Sequence, residues 1–174
     1  RSSALSRFLA KSLSISSCGM YKVRRKDFFG IQSIELARKK TIVLQKEQIE
    51  SYLRALNDEL CSLDVKGEVC LYGGAVMCLA FDARAATKDV DAVFKPVNLI
   101  REAVIRIARA NGLKEDWLND GVARYVVPHP QRVLFEYPCL KVFIPDADYL
   151  LAMKTLAARA DTTDREDVVF LIEK

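Results

Sequence analysis

Ile49, Leu53, Leu56, Leu60 and Leu63 recur at intervals of three or four with charged residues between them, which predicts an amphipathic helix over 45–63. The polar stretch 64–67 reads as a turn. A short apolar run, Glu68 to Tyr72, has the length of a strand and stops at Gly73-Gly74. Ala75 to Phe81 reads as a helix of small residues, and 82–88 as a polar loop. From Asp89 to Phe94 the period changes to two: Val90, Ala92 and Phe94 fall on one face of a strand, Asp89, Asp91 and Val93 on the other. Beyond Pro96, Ile100, Val104 and Ile107 carry a helix over about 98–110, and Asn111-Gly112 reads as its stop. Residues 113–121 read as a loop. Strands are expected near 122–127, 132–137 and 139–144, their lengths limited by Pro128, Pro130 and Pro138. Asp146 is placed to cap a helix carrying Leu150, Leu151, Met153 and Leu156. Thr163 and Glu166 have the spacing of a capping box at the start of a last helix. The order α-β-α-β-α-β-β-(β)-α-α predicts an α+β (α/β) chain, a small mixed sheet backed by helices.

Charge divides the chain where periodicity begins. Residues 1–40 carry ten Lys/Arg and two Asp/Glu, whereas 41–174 carry seventeen and twenty-one. The basic balance therefore belongs to the first 40 residues, an extension expected to be partly disordered, and the folded domain is assigned to 41–174. Residues 1–19 are Ser-rich and acid-free, as in organelle transit peptides, although Met20 is an internal candidate start. No apolar run approaches the roughly 18 residues that cross a bilayer, so a cytoplasmic protein without membrane attachment is expected. The five cysteines, Cys18, Cys61, Cys70, Cys78 and Cys139, form no C-x-x-C pair, and His129 is the single histidine. Zinc is thereby disfavoured, and reduced, mostly buried thiols are expected.

The chemistry concentrates in LYGGAV (71–76) and TKDVDAVF (87–94). A glycine pair directly after a strand lets a ligand approach the backbone, and the following helix offers unpaired N–H groups to phosphate oxygens. Neither a G-K-[ST] closure nor a third dinucleotide-binding glycine is present. Asp89 and Asp91, two apart on a strand, converge and repel unless a cation lies between them. Hard oxygen ligands beside a phosphate-binding turn suit Mg²⁺, with Mn²⁺ as an alternative. On an edge strand the same D-x-D would be a solvated face.

Gly-Gly after a strand, fourteen intervening residues, then D-x-D resembles the signature of the nucleotidyltransferase superfamily. Arg84, Thr87, Lys88, Asp89, Val90 and Asp91 are similar to the R-x-T-x-D-[IV]-D form of AbiEii-type toxins of type IV toxin–antitoxin systems and their small bacterial relatives. Residues 148–171, DYLLAMKTLAARADTTDREDVVFL, resemble their C-terminal helices. The resemblance covers roughly 45–174 and implies a polymerase β-like nucleotidyltransferase fold. It implies that Gly73 and Gly74 hold a nucleoside triphosphate and that Asp89 and Asp91 bind Mg²⁺. Lys154 would contact phosphate, Asp164 or Asp167 would complete the site, and Thr87 and Lys88 would assist with phosphate. Arg84 is either a phosphate ligand or a loop cation. Lys154 is open to reading as a surface lysine, and Asp164 and Asp167 as helix caps.

The superfamily usually adds a third carboxylate from a later strand. In 134–145 only Glu136 is acidic, and Val142 occupies a position where an acid is expected. Trp117 is either a base-stacking residue or core, Asn119 and Asp120 read as turn formers, and Tyr72 as core. The implied activity is transfer of a nucleoside monophosphate from an NTP to a hydroxyl of tRNA, another RNA or a protein, with a cognate antitoxin as a further partner. Two rivals stay open: a catalytically inactive nucleotide-binding or protein-interaction module on the same fold, and an RNA-binding domain that uses the basic first 40 residues.

Overall fold

The computed structural model describes residues 43–158 and 163–173. The expectations for the first 40 residues and for Cys18 lie outside them. The chain is a mixed α/β structure with five α-helices among the described residues. A two-residue strand, β1 (Leu44–Gln45), leads into α1 (Lys46–Ser62), which buries Ile49, Leu53, Leu56 and Leu60. Next come β2 (Gly67–Leu71), α2 (Gly73–Leu79), the short β3 (Ala86–Thr87), β4 (Val90–Lys95) and α3 (Val97–Asn111). The left-handed Gly112, φ 65°, ends α3 where the sequence places its stop. The chain continues through β5 (Leu118–Asn119), a 3₁₀ turn (Gly121–Arg124), β6 (Gln131–Glu136), β7 (Leu140–Pro145), α4 (Ala147–Ala157) and α5 (Thr163–Ile172).

Five strands form one sheet in the order β5-β4-β2-β7-β6. Strand β2 runs antiparallel to β4 and parallel to β7, and β6 is antiparallel to β7. Strands β1 and β3 pair separately, Leu44 opposite Thr87. The alternation read in the sequence decides which face of the sheet is core. Val90, Ala92 and Phe94 join Val69, Leu71, Leu140, Val142 and Ile144 in the hydrophobic interior. Helices α1 and α3 cover that face. A Cβ on Gly67 would lie 2.6 Å from Leu60 of α1 and 3.4 Å from Ile100 of α3, so glycine allows both helices to close over β2. The opposite face carries Cys70 in register with Val93 and Phe143. Asp91, two residues before Val93, shares that second face.

Four expectations need correction. Residues 122–127 form no strand. They begin with the 3₁₀ turn and pair with no strand. Helix α2 starts on the glycines themselves rather than at Ala75. Asp89 sits one residue before β4, not inside it. Cys61 and Cys139 are joined in a disulfide with Cα atoms 5.3 Å apart, while Cys70 and Cys78 are buried free thiols. The bond links the end of α1 to the β6–β7 turn, a proximity that linear spacing of 78 residues does not reveal.

Candidate functional site

The sharp entry into α2 is built on Gly73. Its φ of 61° lies in the left-handed region, and a Cβ there would come 2.9 Å from Asp91 Oδ2. At Gly74 a Cβ would stand 2.5 Å from Thr87 Oγ1 and 3.4 Å from Arg84 Nη1. The two glycines thus face Asp91, Thr87 and Arg84, residues from three segments. Two hydrogen bonds set this register. The Tyr72 N–H donates to the Asp91 carbonyl at 2.8 Å, and Thr87 Oγ1 donates to the Asp89 carbonyl at 3.1 Å. Thr87 is buried at the β1–β3 pairing, so that small two-stranded unit holds the segment leading to the aspartates.

Asp89 is exposed and Asp91 half-buried. Burial, and then the neighbouring Asp89 carboxylate, push the Asp91 carboxyl up from its ordinary pKa. A hydrogen bond from Asn119 and the Lys154 ammonium act against this, and Asp164 adds to the rise. Asn119 thus hydrogen-bonds Asp91, while Lys154 and Asp164 act on it through space. Asn119 sits on β5 directly opposite Asp91, and its Oδ1 also accepts the Gly121 N–H at 3.1 Å. The sequence marked Asn119 only as a turn former. Its role beside Asp91 was missed because a two-residue strand has no periodicity to read. Asp120 pairs with Arg101 at 2.5 Å.

Helices α4 and α5 supply the other side. Lys154 is buried, 6% exposed, which removes the surface-lysine reading. Its Nζ lies 2.6 Å from Asp164 Oδ1 and 2.9 Å from Asp167 Oδ2. Asp167, 3% exposed, also receives Arg84 in a fork, Nε to Oδ1 at 2.7 Å and Nη2 to Oδ2 at 2.5 Å. That fork turns Nη1 of Arg84 toward Gly74. The ion pairs Arg84–Asp167–Lys154–Asp164 therefore form a chain that runs from the glycine turn to the edge of the aspartate pair. Four carboxylates face two cations here, leaving two negative charges when all are ionised.

Several candidates do not join. Lys88 is exposed and lines, with Asp89, Leu113, Lys114 and Asp116, a shallow recess beside the aspartates. Glu136 is in register with Lys141, which is in register with Glu68 and so with Lys95. Asp91 is four residues from Lys95 along β4, roughly 13 Å, and β4 lies three strands away from β6. Glu136 instead pairs with Lys141 at 3.0 Å. Val142 is fully buried on the helix-covered face, and the open-face residue of β7 level with Asp91 is Pro145, two beyond Phe143. No acid of β6 or β7 stands beside Asp91. Trp117 is core: it is 2% exposed and its Nε1 donates to the Val104 carbonyl at 3.3 Å.

Among the described residues, no three His, Cys, Asp or Glu side chains converge as a metal cage, and no helix is long and apolar enough to cross a membrane. No protein-family model, curated protein or solved structure matches the chain.

Proposed function

We propose that this chain is a metal-dependent nucleotidyltransferase on a polymerase β-like fold, similar to AbiEii-type toxins. It moves a nucleoside monophosphate from an NTP to a hydroxyl of RNA, tRNA included, or of a protein. The observation that carries the reading is the convergence of Gly73, Gly74, Thr87 and Arg84 on the aspartate pair, with Lys154 closing the far side. Side-chain-free backbone at Gly73 and Gly74 suits phosphate oxygens, and Arg84 Nη1 adds a charged donor at the same place. Asp89 and Asp91 are two hard ligands without a third. That fits Mg²⁺, or Mn²⁺, which takes one or two carboxylates and completes its shell with substrate phosphates and water. The Asp89 carboxylate adds to the rise in the Asp91 pKa, a repulsion that a divalent ion between the two would relieve. Such an ion supplies charge neutralisation on the phosphates.

In the reaction the acceptor oxygen attacks the α-phosphorus, the bond to pyrophosphate breaks, and the hydroxyl proton leaves to a site carboxylate. The residues contribute positioning and fixed charge, the usual components of phosphoryl catalysis. Asn119 holds Asp91. Asp167 holds Arg84 and Lys154. A role as a toxin with a cognate antitoxin rests on the resemblance of residues 84–91 and 148–171 alone.

The test is incubation with Mg²⁺, each α-labelled NTP in turn, total tRNA and a protein mixture. Label is expected on one acceptor class with the wild type and absent with Asp91→Ala. One observation favours a second reading: β7 presents Phe143 and Pro145, not an acid, on the face of the sheet that carries Asp91. A nucleotide-binding module without turnover would bind NTP with Mg²⁺ and transfer no label to any acceptor.

A further inference from the structure

The aromatic residues on the open face of the sheet are locked together beside the glycine turn. Tyr72 directly precedes Gly73 and is buried. Its hydroxyl lies 3.3 Å from His129 Nε2, and His129 Nδ1 lies 2.8 Å from the Val127 carbonyl. A carbonyl only accepts, so Nδ1 carries the proton and Tyr72 donates to Nε2. Tyr149 of α4 stacks on the imidazole, centroids 3.7 Å apart and planes 10° from parallel. Its hydroxyl donates to the Val127 carbonyl at 3.3 Å and accepts the Val127 N–H at 3.1 Å. Every one of these hydrogen bonds lies at a ring edge. They fix two half-buried rings, Tyr72 meets the imidazole in a T-shaped contact with centroids 5.8 Å apart, and the loop beside them exposes Tyr125 and Val127.

Position decides what such a stack can meet. Tyr149 precedes Lys154 by five helical residues, a rise of about 7.5 Å. Lys154 marks the aspartate side of the site, and Tyr72 joins the stack to Gly73. Tyr72 therefore ties the rings to the residue beside the glycine turn. Trp117 is buried on the other face, and the Phe81 ring packs edge-on against Phe170, so neither competes for the role.

We infer that the His129–Tyr149 stack is the nucleobase platform for the triphosphate held at Gly73 and Gly74; this rests on the nucleotidyltransferase reading of that site. With the edge atoms of both rings engaged, the platform recognises the base by stacking and not by reading its hydrogen-bonding edge. The substrate class is then a nucleoside triphosphate with weak base discrimination, purines ahead of pyrimidines because they offer more ring area.

The experiment is calorimetric titration of the full chain in Mg²⁺ with GTP and, separately, with inorganic triphosphate. Tyr149→Leu, which keeps volume but has no π-face, is expected to weaken GTP binding on the order of 10- to 100-fold, the range for loss of one base stack. Inorganic triphosphate should stay within about twofold, because it has no base to lose. Tyr149→Phe, which keeps the stack and loses the hydroxyl, should hold GTP within about threefold of wild type. GTP binding unchanged in Tyr149→Leu overturns the inference, as does equal weakening of both ligands. If Tyr149→Leu melts below the assay temperature, Tyr149→Phe and His129→Phe carry the test, and tenfold losses of GTP binding in both overturn it. A wild-type chain that binds neither ligand refutes the nucleotide site itself. One that binds triphosphate as tightly as GTP refutes only the platform.

Discussion

Replacing Asp167 by Asn removes the charge on which two cations converge. Arg84 loses its fork, and Lys154 keeps only Asp164. Taking one member from a buried ion pair costs about 3–5 kcal/mol, since the partner stays desolvated and uncompensated. Two features place this case at the lower end: the Arg84 side chain is 19% exposed, and Lys154 retains a carboxylate 2.6 Å away. A loss of about 3 kcal/mol follows, against a typical total of roughly 5–15 kcal/mol. For a chain of this length that lowers the melting temperature by about 6–12 °C. Urea unfolding followed by far-ultraviolet circular dichroism measures it. The coupling can be isolated with Arg84→Met and Asp167→Leu, each alone and combined. If the fork is real, the double variant loses at least about 1 kcal/mol less than the sum of the singles. Additive losses, or an Asp167→Asn variant within about 1 kcal/mol of wild type, would refute the claim that this buried chain of charges braces the α4–α5 side of the site.

Three further outcomes follow from the geometry. Gly74→Ala sets a methyl 2.5 Å from Thr87 Oγ1, so it should cost about 1–3 kcal/mol and weaken Mg²⁺–NTP binding; Thr87→Ala in the same chain should recover part of both, read by unfolding and titration. Asp91→Asn should raise the melting temperature of the metal-free chain at pH 7 while abolishing stabilisation by Mg²⁺ with NTP. The raised pKa of Asp91 makes its ionised form unfavourable to folding, a penalty absent below the unfolded value of about 3.9 and complete above the folded one, so the difference should vanish in acid. Reduction of Cys61–Cys139, which spans 78 residues, should lower stability by about 4.5 kcal/mol in the chain-entropy account. Nucleotide binding below the melting temperature should survive it, because the bond sits at the β6–β7 turn, at the opposite end of the sheet from Asp91; a melting temperature unmoved by reductant would refute the bond's contribution.

The parts of the fold that the sequence made legible are those where one period persists across a full element. Leu53, Leu56 and Leu60 define a buried stripe on α1, and Val90, Ala92 and Phe94 define the core face of β4. Gly112 had a conformational reason to end α3. Two-residue strands have no period, so β1, β3 and β5 could not be read, although β3 carries Thr87 and β5 carries Asn119. Residues 122–127 have a strand-like composition, but a strand also needs a partner in register, and that is a property of the whole sheet.

The candidate site divides on the same line. Gly73, Gly74, Asp89 and Asp91 were legible because one turn and one strand bring them together within twenty residues. The pairing of Arg84 with Asp167 spans 83 residues and joins a loop to the last helix, so only the folded chain reveals it. It also alters what these residues do. As isolated positions, Asp164 and Asp167 are as well explained by helix capping as by a site. Buried against Lys154 and Arg84, Asp167 has both oxygens engaged and is poorly placed to ligate a cation, whereas Asp164, 29% exposed, has only its Oδ1 on Lys154. The positional resemblance treats the two acids alike, but their burial separates them. On the proposed reading, Asp167 would position the two cations through its ion pairs, and Asp164 would be the carboxylate left to act with the aspartate pair.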